Sequence, residues 1–296
     1  MTEKLWRIAS VIPSFSLAIA FVGFFPSTNL CAQFTSGILA NDSYWSDGKA
    51  EFDIYDAQLI RDGQPRRCEV LHIFSREWID RKTLARSDGP KGNEAKQAIR
   101  MNQIWSAPIG MFIEQGSIVA YWWPDSASLA RLLFVGSDSF GNAVKKIETK
   151  GPTLNYTSET YRDEAIATPI SLLPNAVFYD ELPLRVRTID WLKPEGEFEV
   201  QLAPTLARFK GDKIEFTAVK ISWKMAEKSI EVIAKQPSGT DRFILDRNFP
   251  FLLREWQMSD GSTLKMKRGL KADYWNYSKE GDRERALKNP MLQHPD

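Results

Sequence analysis

The stretch A-E-F-D-I-Y-D-A-Q-L-I, from Ala50 to Ile60, runs through the turn Asp62-Gly63-Gln64-Pro65 into a second long run from Arg66 to Trp78. In the first run Phe52 and Ile54 fall on one face and Asp53 and Tyr55 on the other. That is the period of a β-strand. Strand, turn and strand together predict a β-hairpin.

The same rhythm extends downstream. Strands are expected at Ile109 to Trp123 (broken by Gly110 and Gly116), Leu129 to Val135 and Asn142 to Thr149. They resume at Leu184 to Leu192, Glu197 to Leu202, Lys213 to Trp223, Ser229 to Ala234, Arg242 to Leu245, Leu252 to Met258 and Thr263 to Leu270. Turns such as Pro194-Glu195-Gly196 and Pro237-Ser238-Gly239 bound them. Two segments break the rhythm. Residues 79–103 are charged and predict a loop and a short helix capped by Asn93. Residues 150–180 carry Pro152, Pro169 and Pro174 and predict a crossover, with a short helix around Ala165 to Leu173. The fold class is mainly β: a strongly curved antiparallel sheet or half-barrel with one or two short helices. Large side chains on both faces of many strands predict an apolar helix or ligand in its concavity.

The N-terminus gives an address. Lys4 and Arg7 precede an apolar run from Ile8 to Phe25, then Pro26, small polar residues and Cys31-Ala32-Gln33. That order is the layout of a secretory signal over residues 1–32. Two alternatives are a retained membrane anchor over residues 8–25 and lipidation at Cys31. The expected domains are the signal, one β-rich domain over residues 33–280 and a flexible tail over 281–296. The expected location is the periplasm or the exterior.

Composition narrows the function classes. The chain has 39 basic and 38 acidic residues. Without Lys4, Arg7 and Glu3 it would hold 37 of each, so charge gives no reason to expect nucleic acid. A chain starting at Gln33 keeps one cysteine, Cys68, and so no internal disulfide. Two histidines, His72 and His294, make no zinc-type cluster, and no metal or cofactor is expected. No G-x-S-x-G elbow occurs. His72, mid-strand, reads as a hydrogen-bonded structural histidine. Lys265, Lys267 and Arg268 read as a protected sheet edge.

Two family resemblances arise. Gln64-Pro65-Arg66-Arg67-Cys68-Glu69-Val70-Leu71 resembles the S-P-R-R-x-E-L-L phosphate-binding signature of Maf-type nucleoside triphosphate pyrophosphatases, with Gln64 in place of the serine and Val70 in place of a leucine. The resemblance implies Arg66 and Arg67 as phosphate-binding residues in an α/β frame. A broader resemblance rests on Trp45 to Phe52, Phe249 to Trp256 and Ser259 to Lys267. These stretches look like the periplasmic LolA/LolB lipoprotein carriers, whose bent sheet wraps a helix and holds an acyl chain.

Trp105, Trp122, Trp123, Trp223 and Trp256 are the candidate lining of such a hollow, with plain core packing as the alternative. The leading expectation is an exported, non-enzymatic protein that binds a lipid, another apolar small molecule or an envelope protein. The alternative is a Maf-like pyrophosphatase.

Overall fold

The computed structural model describes residues 34–36, 42–90, 94–150, 153–211 and 213–293. The signal, anchor and lipidation readings, Asn93 and His294 lie outside them.

The expected β-rich fold is present. Along the chain run β1 (Ala50–Arg61), β2 (Gln64–Asp80), β3 (Arg86–Ser87), β4 (Ala95–Ile109), β5 (Phe112–Trp123), β6 (Ser128–Ser137), β7 (Asn142–Lys150), β8 (Thr153–Thr160) and β9 (Ile166–Ile170). Then come β10 (Ala176–Phe178), β11 (Glu195–Ala203), β12 (Thr217–Met225), β13 (Ser229–Gln236), β14 (Gly239–Asp246), β15 (Leu253–Gln257) and β16 (Thr263–Ala272). They form a single sheet in the order β10 to β16, then β1, β2, and β4 to β9, with β3 beside β2. Neighbours are antiparallel, except that β10 lies parallel to β11.

The two ends of this sheet, β9 and β10, are consecutive in sequence. Six Cα steps from Ile170 to Ala176 span at most about 22 Å. The sheet therefore rolls until its ends nearly meet, yet it does not close.

The expected β1–β2 hairpin is present, in register from Glu51 opposite Phe74 to Arg61 opposite Gln64. Its inner face is the one that carries the acids. Tyr55, Ala57 and Leu59 join Val70 and Phe74 in the core, and Glu51 and Asp53 share their side of β1.

The hollow is filled largely from within. Residues 179–188 form successive helical turns (Tyr179–Glu181, Leu182–Arg185, Val186–Thr188) that cross the concavity, with Leu182, Leu184 and Val186 fully buried. The strand expected at Leu184 to Leu192 is thus helical in its first half. Leu184, Val186 and Thr188 alternate with arginines, which mimics a strand. But a segment buried all round carries no directional period. Asp180 and Glu181 at its start and Arg185 and Arg187 near its end match the helix dipole, and Pro183 fits the first turn.

Three further expectations are corrected. The helix expected after residue 93 is strand β4, whose Ala95–Ser106 pairs with Glu69–Asp80, so tertiary pairing overrides the helix-forming Ala-Lys-Gln-Ala run. The crossover expected over 150–180 contains β8 and β9. β16 lies between β15 and β1, so Lys265, Lys267 and Arg268 are not at an edge. After Tyr277, a short helix at Asp282–Lys288 buries Asp282 and pairs Arg283 with Glu69.

Candidate functional site

Two cavities lie at opposite ends of the roll. The larger, about 580 Å³, opens at the seam between the sheet's ends. The β5–β6 turn, the start of β8, residues 172–178 and β11 enclose it. Phe34, Leu129, Leu154, Leu173, Val177 and Phe198 give it apolar walls. Two charged side chains from the inner helix reach it, Glu181 and Arg185. They satisfy each other: Arg185 Nε donates to Glu181 Oε2 at 3.2 Å, while Arg185 also donates to the Ala127 carbonyl. Trp122 Nε1 donates to Glu181 Oε1 at 3.1 Å. The walls are mostly apolar, with this internally neutral ion pair and the polar Ser126, Ser128, Thr149, Thr153 and Asn175 among them.

The smaller cavity, about 290 Å³, lies at the opposite end, under the β15–β16 turn and the connection after β11. Trp105, Tyr179, Trp256 and Asp180 contribute to its wall. Asp180 accepts from Thr205 Oγ1 at 2.5 Å and from Leu206 N–H at 2.6 Å, tying the inner helix to that connection. Burial pushes the Asp180 pKa up to about 6. Behind the wall, Asp241 accepts from Tyr179 at 2.7 Å, Gln236 at 2.8 Å and Trp256 at 3.3 Å.

A buried polar cluster lies on the inner face of β1 and β2. Arg187, on the inner helix, grips Glu51 with two bonds of 2.5 and 3.0 Å, and both residues are fully buried. Next to them, Asp53 lies opposite His72 in the ladder. No donor reaches either Asp53 oxygen among the described residues. Burial and the Glu51 charge hold its pKa well above the usual carboxylate range. His72 Nε2 bonds Gln103 Oε1 at 2.9 Å, and burial lowers its pKa to about 4. His72 is thus a neutral structural group, and neither it nor Asp53 lines either cavity.

The five candidate tryptophans do not share one hollow. Trp105 and Trp256 line the smaller cavity. Trp122 is fully buried and supports the larger one through Glu181. Trp223 is core: it lies over Gly196, where a Cβ would come within 2.4 Å of the ring, and donates to the Lys193 carbonyl. Trp123 is on the outer face, beneath Lys96. Arg66 and Arg67 follow the β1–β2 turn as successive strand residues, so their side chains leave on opposite faces. That arrangement does not cradle one triphosphate, and the α/β frame which that resemblance implies is absent from the described residues.

Sequence reasoning missed Glu51, Asp53, Arg185 and Arg187. Glu51 and Asp53 in E-F-D-I-Y-D were a visible signal, since they occupy one face of a strand. Their partner, 136 positions further on, was not.

Among solved structures, the chain is similar to a crystal structure of a β-barrel-like protein of a domain of unknown function, DUF1849, from Brucella abortus. The two are 10% identical over 74% of this chain and 96% of that chain, with a TM-score of 0.44. No family model matches the chain. No curated protein matches it.

Proposed function

We propose that this is an exported, non-enzymatic protein that holds an acyl-type ligand in the seam cavity. The observation that carries the reading is the apolar pocket of about 580 Å³, within the roughly 300–1,000 Å³ usual for small-molecule sites. Each methylene buried there contributes about 0.8 kcal/mol. The resemblance to the LolA/LolB carriers supports the reading at the level of a rolled sheet around a helix. The buried Glu51, Asp53, His72 and Arg187 serve the fold and not a reaction, since all are sealed from solvent.

Titration with dodecanoate tests the ligand. Expected are a saturable change in tryptophan fluorescence, through Trp122 behind Glu181, and a rise in melting temperature, because the ligand binds the folded state alone. Ser128→Trp, at an exposed position on the cavity rim, is expected to abolish both. A flat titration of the parent protein would refute the ligand.

Export is tested separately. N-terminal sequencing of protein from its native cell is expected to begin near Gln33. An intact Met1 on soluble cytosolic protein would remove that part of the proposal.

A further inference from the structure

The β4–β5 hairpin outruns its neighbours. β2 pairs with β4 only as far as Ser106, and β6 pairs with β5 only from Gln115 onward. The β4–β5 ladder continues for three more pairs, Ala107–Glu114, Pro108–Ile113 and Ile109–Phe112, and ends in the Gly110-Met111 turn. The inward pair, Ala107 and Glu114, is buried. Beyond it the tip is apolar and bare: Met111 is 96% exposed, Ile113 59% and Phe112 55%. Among the described residues, three consecutive large apolar side chains are thus left more than half in water at a hairpin end. The adjacent β6–β7 turn, at the same end of the sheet, adds Phe140, 74% exposed and stacked on Tyr161.

The charge beside this tip is basic. The β1–β2 turn reaches the same end, and after it come Arg66 and Arg67. Arg67 is exposed and no carboxylate pairs with it, while Arg66 is half-buried, its Nε buried without an acceptor, among the described residues. Arg162 caps the Tyr161 ring on the other side. Asp62, and Asp138 in the β6–β7 turn, which accepts from Tyr161, face Arg162 and offset its charge, so that Arg66 and Arg67 carry the basic character of this end. Glu114 is already neutralised by Arg61 at 2.7 Å. A convex apolar tip flanked by arginines complements a lipid–water interface, where side chains enter the acyl boundary and guanidinium groups meet phosphates. The opposite-facing side chains of Arg66 and Arg67, unsuited to one phosphate, suit a surface that offers many.

We propose that the β4–β5 tip, with Arg66 and Arg67, docks this protein on an anionic phospholipid bilayer. Docking does not require that the seam cavity hold a ligand, and it fails or stands separately from the cavity's function.

Vesicle flotation of the exported form, beginning near Gln33, tests it, with phosphatidylcholine vesicles and with vesicles that also contain phosphatidylglycerol. The apolar residues 8–25 are then absent and cannot anchor the protein to either vesicle type. Met111→Ser/Phe112→Ser/Ile113→Ser is expected to weaken binding to the anionic vesicles by roughly tenfold or more. Arg66→Gln/Arg67→Gln is expected to weaken it by a similar factor, with the residual binding insensitive to salt. Circular dichroism checks that each variant is folded. Should the triple change disturb folding, Met111→Ser alone, at the most exposed of these positions, is read in its place. Phe112→Trp is expected to be quenched by brominated acyl chains. Equal flotation of parent and tip variants overturns the proposal. So does equal binding of the parent to both vesicle types. A parent that floats with neither, but forms a dimer that the tip variants lose, assigns the tip to a second copy of the chain instead.

Discussion

Replacing Arg187 with methionine is expected to cost about 3–5 kcal/mol of stability, because it strands the fully buried Glu51 carboxylate without its cation. Arg187 does more than neutralise. It also donates to the Pro250 carbonyl at 3.1 and 3.0 Å and lies over Phe74, so it fastens the inner helix to β1, to β2 and to the segment before β15. The double change Arg187→Met/Glu51→Gln is expected to lose less than Arg187→Met alone, since no unpaired charge then remains. Urea unfolding at neutral pH measures both. Equal losses from the single and double changes would mean that packing, and not charge burial, dominates there.

The second large effect is a pH-dependent gap between the parent protein and Asp180→Asn. The Asp180 pKa stands at about 6 in the folded protein against an ordinary 3.8. Below 3.8 the carboxyl is neutral whether the chain is folded or not, and the two proteins differ least. Between 3.8 and 6 the unfolded chain releases this proton while the folded chain retains it, so the parent loses stability as pH rises. Above 6 the loss is complete. About two pKa units correspond to about 3 kcal/mol, by which Asp180→Asn should gain on the parent across that window. His72, with its pKa lowered to about 4, acts in the opposite sense, since its contribution is lost as pH falls from 6.5 towards 4. It is common to both proteins and cancels in the difference. Denaturant midpoints from pH 3.5 to pH 7.5 test this, and a constant gap would show that Asp180 keeps its ordinary pKa.

Much of the sheet was legible because its turns are explicit. Asp62-Gly63 and Pro237-Ser238-Gly239 fix hairpins whatever the surroundings. Segments that depend on distant partners were not legible. Ala95 to Met101 is composed of good helix formers and becomes strand only because β2 offers it a long ladder. The inner helix was hidden by full burial, which erases the polar face that would report its period. For the tryptophans, sequence shows that the aromatic surface is large. Which ring meets a cavity depends on how far the sheet rolls, and that is set by β16 pairing with β1 across most of the chain's length. The exposed tip was concealed by its neighbours: Ile109 to Trp123 reads as one long strand until Gly110-Met111 is seen to reverse it.

A closed barrel has a fixed girth, because strand number and stagger set its circumference. Here β9 and β10 have no ladder between them; the link 171–175 joins them, and Asp163 accepting from the Gly211 N–H and Lys145 donating to the Lys210 carbonyl tie the two sides together. Widening the seam breaks no strand ladder: it needs a slight uncurling of the sheet and the release of those two side-chain bonds. The girth of the rolled sheet is therefore a softer coordinate than that of a closed barrel, and the space at the seam can widen while every ladder stays intact.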